Sequence, residues 1–367
     1  MLASIVIGWA AEITAVHLSA GMALAVLAWL QTLPEFAVEA SIAWQRNAHL
    51  ALANLTGSLR LLMGLGWPMV FFIFWFQQIR NRRGKSIELN ITLPREFAVE
   101  SIGLAIPLFY FLYIYFKRTW NAFDGMILVS FYALYFYLLN LQRKYGAGME
   151  LEESDEEGNF IVDAVLKLKK NQQILVLISF FIFGGVTLYL VVHPFIESLR
   201  AAALYFGVSE FVFIQWIAPV ASEFPEKITA FSWARRKSKV PLAIVNLLSS
   251  VTNQWTLLAG LIPIIFSISA GRFVSIELTD FQRGELLLTI VQSGVAVLIM
   301  ADLKMYGYEA LALFVLWLAQ FFVPESHSAL VPIYAIWMGL EALRLLMRRR
   351  PIAALAGLKS LLFKTHR

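Results

Sequence analysis

Ala218–Ala230 reads APVASEFPEKITA. It lies within a long apolar run, yet it sets Glu223, Glu226 and Lys227 around Pro225, just after Pro219. Proline lacks an N–H and clashes with the carbonyl four residues earlier, so Pro225 releases the carbonyl of Ala221 and Pro219 that of Gln215. At membrane depth a released carbonyl needs a neighbouring helix, a water or a cation. A carboxylate one residue past the break supplies the charge for a hard cation, which takes oxygen ligands. The plain alternative is a proline kink with glutamates capping a half-helix N-terminus. Against it, an ionisable group in mid-membrane costs roughly 2.5–3.5 kcal/mol on insertion scales.

The rest of the 367-residue chain places this stretch in a membrane. Hydrophobic residues make up 59% and charged residues 15%, with a mean hydropathy of +0.68. A soluble domain carries about 25% charged residues. There is no cysteine, which excludes disulfides and thiolate metal sites. The five histidines form no HExxH, and neither a Walker A nor a GxGxxG pattern occurs, so nothing points to an enzyme. The N-terminus has no basic region before its apolar run and reads as a membrane segment, not a removed signal peptide.

A spanning helix needs about 20 apolar residues. Ten candidates fall near 5–44 (broken at Pro34), 50–76, 98–116, 121–140, 172–196, 201–234 (broken at Pro219 and Pro225), 240–269, 284–301, 306–323 and 328–347. The expectation is an all-α polytopic membrane protein of about ten transmembrane helices. One long polar connection, 141–171, divides the chain and holds the acidic run MELEESDEEGN. Most of the 30 lysines and arginines fall on one side, among them Arg80, Arg82, Arg83, Lys85, Arg235, Arg236, Lys237, Lys239 and Arg348–Arg350. That side is expected to be cytoplasmic, with both termini there. The net charge of +5 then reads as anchoring at the lipid bilayer, not as nucleic-acid binding. Compact size and short loops suggest a prokaryotic inner membrane.

The second half repeats the first. Pro34-Glu35 matches Pro225-Glu226, Asn54 matches Asn246, and Gly57-Ser58 matches Ser249-Ser250. An odd number of spans separates the copies, so they are expected to lie in opposite orientations: two inverted-topology repeats with Pro-broken helices, a transporter signature. Glu35 and Glu226 would then face each other near the midplane. Glu39 lies one turn beyond Glu35, and Glu223 lies just before Glu226. Either these share protons with their neighbours or they point into a water-filled vestibule. Asn246, Ser250 and Gln254 form a polar stripe at i, i+4 and i+8, with Asn253 beside it; Asn54 and Ser58 are the first-half equivalents. The stripe is either an ion pathway or glue between helices. Arg60 turns away from Ser58 and either snorkels, pairs with a distant acid or reaches Glu35 or Glu39, where it would take a cation's place. Lys227 raises the same question. Asp124, Asp302 and Glu309 read as solvated helix ends.

These motifs resemble the sodium/calcium exchanger superfamily, the calcium:cation antiporters. The first motif reads LQTLPE (Leu30–Glu35) and ASEFPE (Ala221–Glu226), the second ANLTGSL (Ala53–Leu59) and VNLLSSV (Val245–Val251). The resemblance spans about residues 5–325. It implies two inverted five-helix repeats, no cofactor, and inorganic cations (Ca²⁺, Na⁺ or H⁺) as the transported partners. Glu35 and Glu226 would be the central carboxylates. Thr32, Gln31 and Ser222 would line the ion sites, Ser58 and Ser250 would add hydroxyls, and Gln254 matches an acidic or amide position. The chain departs from the pattern at Leu59, Val251 and Leu62, at Leu30 and Ala221 in place of the first-motif glycines, and at Glu223 in place of Ser or Thr. The resulting division is 1–140 as a first repeat lacking the family's first helix, 141–171 as a cytoplasmic loop, 172–325 as a second repeat, and 326–367 as an extra helix with a basic tail. The expected function is exchange of Ca²⁺ or another cation against H⁺ or Na⁺. The alternative is a non-transporting paralogue acting as scaffold or cation sensor.

Overall fold

The computed structural model describes residues 2–16, 30, 32–80, 87–145, 160–323, 326–347 and 352–364. In chain order the helices of the first half are α1 (Leu2–Val16), α2 (Leu33–Trp44), α3 (Ala48–Leu61), α4 (Trp67–Arg80), α5 (Ala98–Gly103), α6 (Ala105–Lys117) and α7 (Ala122–Tyr145). A short α8 (Phe160–Leu166) follows. The second half contains α9 (Lys170–Phe206), α10 (Glu210–Ser222), α11 (Phe224–Ala234), α12 (Val240–Asn253), α13 (Ala259–Ala270), α14 (Asp280–Ala301) and α15 (Gly307–Phe322). Helices α16 (His327–Met347) and α17 (Ala353–Lys364) close the chain. Among the described residues, seven helical stretches are long and apolar enough to cross a membrane: 48–80, 98–117, 122–141, 170–206, 237–270, 280–301 and 327–347. Two shorter apolar helices, Glu210–Ser222 and Gly307–Phe322, join them. The protein is an all-α polytopic membrane protein.

Both Pro-Glu sequences begin helices. Pro34 and Pro225 sit in the first turns of α2 and α11. The missing proline N–H is tolerated there because first-turn amides have no intrahelical acceptor in any case. Pro219 lies inside α10. The carbonyl it releases, that of Gln215, abuts Gly57 of α3, where a Cβ would stand 1.8 Å from the oxygen. Close approach of two helix backbones therefore requires glycine here.

Several described elements occur at matched positions in the two halves. Helices α3 and α12 each run into a π-helical turn, Leu62–Gly66 and Gln254–Leu258, at matched positions. Four short strands make two antiparallel pairs: β1 (Asn90–Thr92) with β4 (Lys304–Tyr306), and β2 (Thr119–Asn121) with β3 (Ser275–Glu277). Asn90 pairs with Tyr306, and Asn121 pairs with Ser275. Exchanging the halves converts one pair into the other, register included. Each pair ties a first-half loop to a second-half loop. Between them the core is packed with large side chains, including Trp67, Trp120, Trp255 and Phe111.

Several boundaries differ from the sequence reading. Of the span read at 5–44, α1 (Leu2–Val16) and α2 (Leu33–Trp44) are described, and 17–29 lie outside the described residues. Helix α1 packs along α9. Helix α9 continues through Pro194 and past the break expected near residue 197, ending at Gly207 in left-handed conformation with φ +66°. The connection 141–171 is not all loop. Val162 and Val165 of α8 are buried with Ile13 of α1 and packed on Val176 and Phe180 of α9, because apolar spacing gives even this short helix a face to bury. The acidic run Met149–Asn159 lies outside the described residues. The basic tail carries α17, whose Gly357 packs against Ala98.

Candidate functional site

The first turns of α2 and α11 meet the middle of α3 and the end of α12. Glu35 and Glu226 are both 0% exposed, and Glu39 and Glu223 are 1% exposed. Ser58 stands at the centre: its hydroxyl contacts both Glu35 Oε1 and Glu223 Oε1. A hydroxyl has one hydrogen to donate, so one of these contacts joins two acceptors unless a proton or a cation is shared there. Gln254 Nε2 donates to Glu35 Oε2 at 2.7 Å and leans on Glu223 Oε1 at 3.4 Å. Lys227 Nζ lies 2.6 Å from the other oxygen of Glu223. Glu226 is within electrostatic reach of Glu35 and Glu223. Neither of its carboxylate oxygens has a hydrogen-bond partner among the described residues. Ser250 faces Glu226 without reaching hydrogen-bond geometry.

The remaining expected residues fall around this centre. Asn54 Nδ2 donates to Glu39 Oε2 at 2.6 Å, and Glu39 Oε1 has no partner. Glu39 also lines a small cleft with Phe36, Leu258 and Ile262. Asn246 is fully buried on α12. Thr32 Oγ1 accepts from Asn253 Nδ2 at 2.7 Å, which ties the start of α2 to the end of α12. Asn253 was read only as a neighbour of the polar stripe. In the structure it adjoins Gln254 immediately before the π turn, and such turns are frequent at functional sites. The Ser222 hydroxyl turns back to the carbonyl of Ala218 at 3.0 Å and makes no hydrogen bond to the carboxylates. Gln31 lies outside the described residues.

Arg60 does not enter this site. Its Nη2 lies 2.7 Å from Glu285 Oε2, its Nε donates to the carbonyl of Thr56 at 3.1 Å, and its guanidinium sits 5.3 Å from the Trp216 ring centre. Of the fates open to it, pairing with a distant acid is the one the structure adopts. Three acids read as solvated are buried instead. Asp124 is held by Lys117 Nζ at 2.6 Å and by the Tyr110 hydroxyl at 2.8 Å. Asp302 and Glu309 lie 3.6 and 3.2 Å from the guanidinium of Arg344. In each case a cation close in space, though not always in sequence, offsets the loss of water.

Half-helices opening on Pro-Glu and converging on two Asn/Ser helices, with partnerless carboxylate oxygens between them, define a polytopic membrane protein with a buried, carboxylate-rich site. Residues 1–140 and 176–323 match the family model described as sodium/calcium exchanger protein, and the chain belongs to that family. It is a family of transporters, not of enzymes. The fold is similar to that of the H⁺/Ca²⁺ exchanger CAX, with 34% identity and a TM-score of 0.85 over 99% of this chain and 89% of that one. A sodium-calcium exchanger, NCX_Mj, shares the fold at 15% identity and a TM-score of 0.55, covering 88% of this chain and 93% of its own. No curated protein sequence matches the chain.

Proposed function

We propose that this protein is a secondary-active antiporter that exchanges Ca²⁺ against protons through Glu35 and Glu226. The observation that carries the reading is the Glu226 carboxylate, fully buried with both oxygens unpartnered, beside Glu35, Glu223, Ser58 and Gln254. A buried carboxylate left in this state is costly unless a proton or a metal ion joins it. Either occupant neutralises the site, and a neutral site passes the apolar barrier more readily than a charged one. Likeness to an H⁺/Ca²⁺ exchanger at 34% identity supports Ca²⁺ and H⁺ as the pair.

Around this centre, Ser58, Ser250, Asn54, Asn246, Gln254 and Thr32 supply further oxygens, and Glu39 lies on the path between the site and the cleft. The halves sit as inverted repeats, with both termini on the cytoplasmic side of a prokaryotic inner membrane. The matched π turns and the exchangeable strand pairs support the repeat; the placement of Lys and Arg supports the orientation. Helix α1 takes the place of the first helix expected to be missing, since it precedes α2 as α9 precedes α11, the Pro-Glu counterpart of α2, and it packs along α9. That placement and the pairing of Arg60 with Glu285 remove two motives for the non-transporting reading.

The test is ⁴⁵Ca²⁺ uptake into proteoliposomes under imposed proton or sodium gradients. Uptake driven by the proton gradient and lost in Glu226→Gln is the expected outcome. Uptake driven by sodium alone would replace the counter-ion, and uptake unchanged in Glu226→Gln would remove the site.

A further inference from the structure

The site holds more carboxylates than one divalent cation requires. Glu35 and Glu226 are the matched pair, but the second half adds Glu223, fully buried and sharing Ser58 with Glu35. The same half adds one cation. Lys227 Nζ lies 2.6 Å from Glu223 Oε2, across the turn that opens α11, with its side chain 13% exposed. Aligning Pro34-Glu35 with Pro225-Glu226 sets Thr32 opposite Glu223 and Phe36 opposite Lys227. The first half thus has neither charge, and the second has both. The nearby guanidinium of Arg60 is committed to Glu285, Gln320 and the Thr56 carbonyl. Glu39, one turn beyond Glu35, is held by Asn54.

We infer that Lys227 is a resident counter-ion that cancels the charge of Glu223 and thereby sets the charge selectivity of the site, leaving Glu35 and Glu226 to match a divalent cation. This rests on the reading of the site as a cation site, not on transport. One oxygen of Glu223 belongs to the site through Ser58 and Gln254, and the other belongs to the lysine. A lysine ammonium is a compact point charge at the end of a flexible stem, suited to sit beside a carboxylate without filling the ion's place. Its repulsion acts on any bound ion in proportion to that ion's charge and is little screened in a buried setting. Removing it therefore strengthens binding of a trivalent ion more than that of a divalent one. A lysine that serves only as a helix-start tether would show the opposite sign or none, since its loss would loosen Glu223.

The experiment is calorimetric titration of the purified full-length protein in detergent with Ca²⁺ and with La³⁺, at fixed pH and ionic strength. Lys227→Met is expected to bind Ca²⁺ about tenfold tighter or better, and to raise the La³⁺-to-Ca²⁺ affinity ratio. Glu223→Gln, which strands the ammonium, is expected to weaken Ca²⁺ by about tenfold or more. The Glu223→Gln/Lys227→Met double variant should fall between the two single variants, near the parent. That cycle decides the matter even if Lys227→Met alone fails to fold, because the double variant then need only bind more tightly than Glu223→Gln. Equal or weaker Ca²⁺ binding in Lys227→Met with an unchanged ratio would overturn the inference. Absence of binding in the parent would also overturn it. Correct signs with no flux in proteoliposomes would uphold it and sink only the exchange reading.

Discussion

Helix α3 carries two buried polar regions, around Ser58 and Arg60, two residues apart and on different faces, and they are built to opposite rules. Around Arg60 the partners close on one another. The guanidinium binds Glu285, Gln320 and the Thr56 carbonyl, and Glu285 also takes Gln215 at 2.8 Å and His327 at 2.6 Å. Gln320 goes on to Gln292 and Tyr334, each at 3.1 Å. Around Ser58 they do not close. Both oxygens of Glu226, Oε1 of Glu39, Oε1 of Gln254 and Oδ1 of Asn54 are buried without a partner. All of these are acceptors. In the first region the charged groups are met, though Gln215 Oε1 and Trp216 Nε1 stay unpartnered; in the second, carboxylate oxygens themselves are left open, a surplus of charge that an incoming proton or cation can meet. A structural network and a binding site can thus be told apart by whether their buried charges are paired, even where burial is the same.

The sharpest way to break the comparison is Arg60→Met. Glu285 would remain buried without its main counter-charge, and breaking such a pair costs about 3–5 kcal/mol. Thermal unfolding in detergent should show a large loss, largely recovered in Arg60→Met/Glu285→Met. The same assay on Glu226→Gln should show no loss, since that side chain has no hydrogen bond to give up. A large loss there would erase the distinction. Next in size is Gly57→Ala. Its Cβ would overlap the Gln215 carbonyl, which forces α3 and α10 apart and costs about 1–3 kcal/mol. Because α3 bears Ser58, cation uptake should fall along with stability. The smallest effect is expected from His327→Ala, which removes one of three partners of Glu285 for about 0.5–1.5 kcal/mol, with Arg60 still in place. Uptake should stay within about threefold of the parent, since His327 touches the closed region only.

Much of this was legible in order along the chain. Pro34-Glu35, Pro225-Glu226 and the Asn54/Ser58 and Asn246/Ser250 spacing are local patterns, and they placed the carboxylates beside helix starts. The contact made by Asn253, named only as a neighbour of the polar stripe, is not legible because its partner, Thr32, is 221 residues away. The π turns were also invisible, since a one-residue change in hydrogen-bond register leaves no mark in composition. The boundary of α9 was misjudged because Pro194 and the charges Glu197 and Arg200 look like a span's end. In the structure Arg200 pairs with Glu197 at 3.1 Å and with Glu210 at 3.2 Å, and the helix runs on to Gly207.

By itself the sequence determined that the chain lies in a membrane, that its halves carry matched Pro-Glu and Asn/Ser motifs, and which carboxylates sit next to the prolines. Hydrophobicity, proline geometry and periodicity act over a few residues, so they can be read from the chain alone. Only the tertiary structure decided which buried charges are spent on each other and which are left open. Arg60 finds Glu285 across 225 residues, Lys227 takes one oxygen of Glu223, and Glu226 keeps both of its own. The reason is physical: the state of a buried charge depends on which donors lie within about 3 Å in space, and distance along the chain does not measure that.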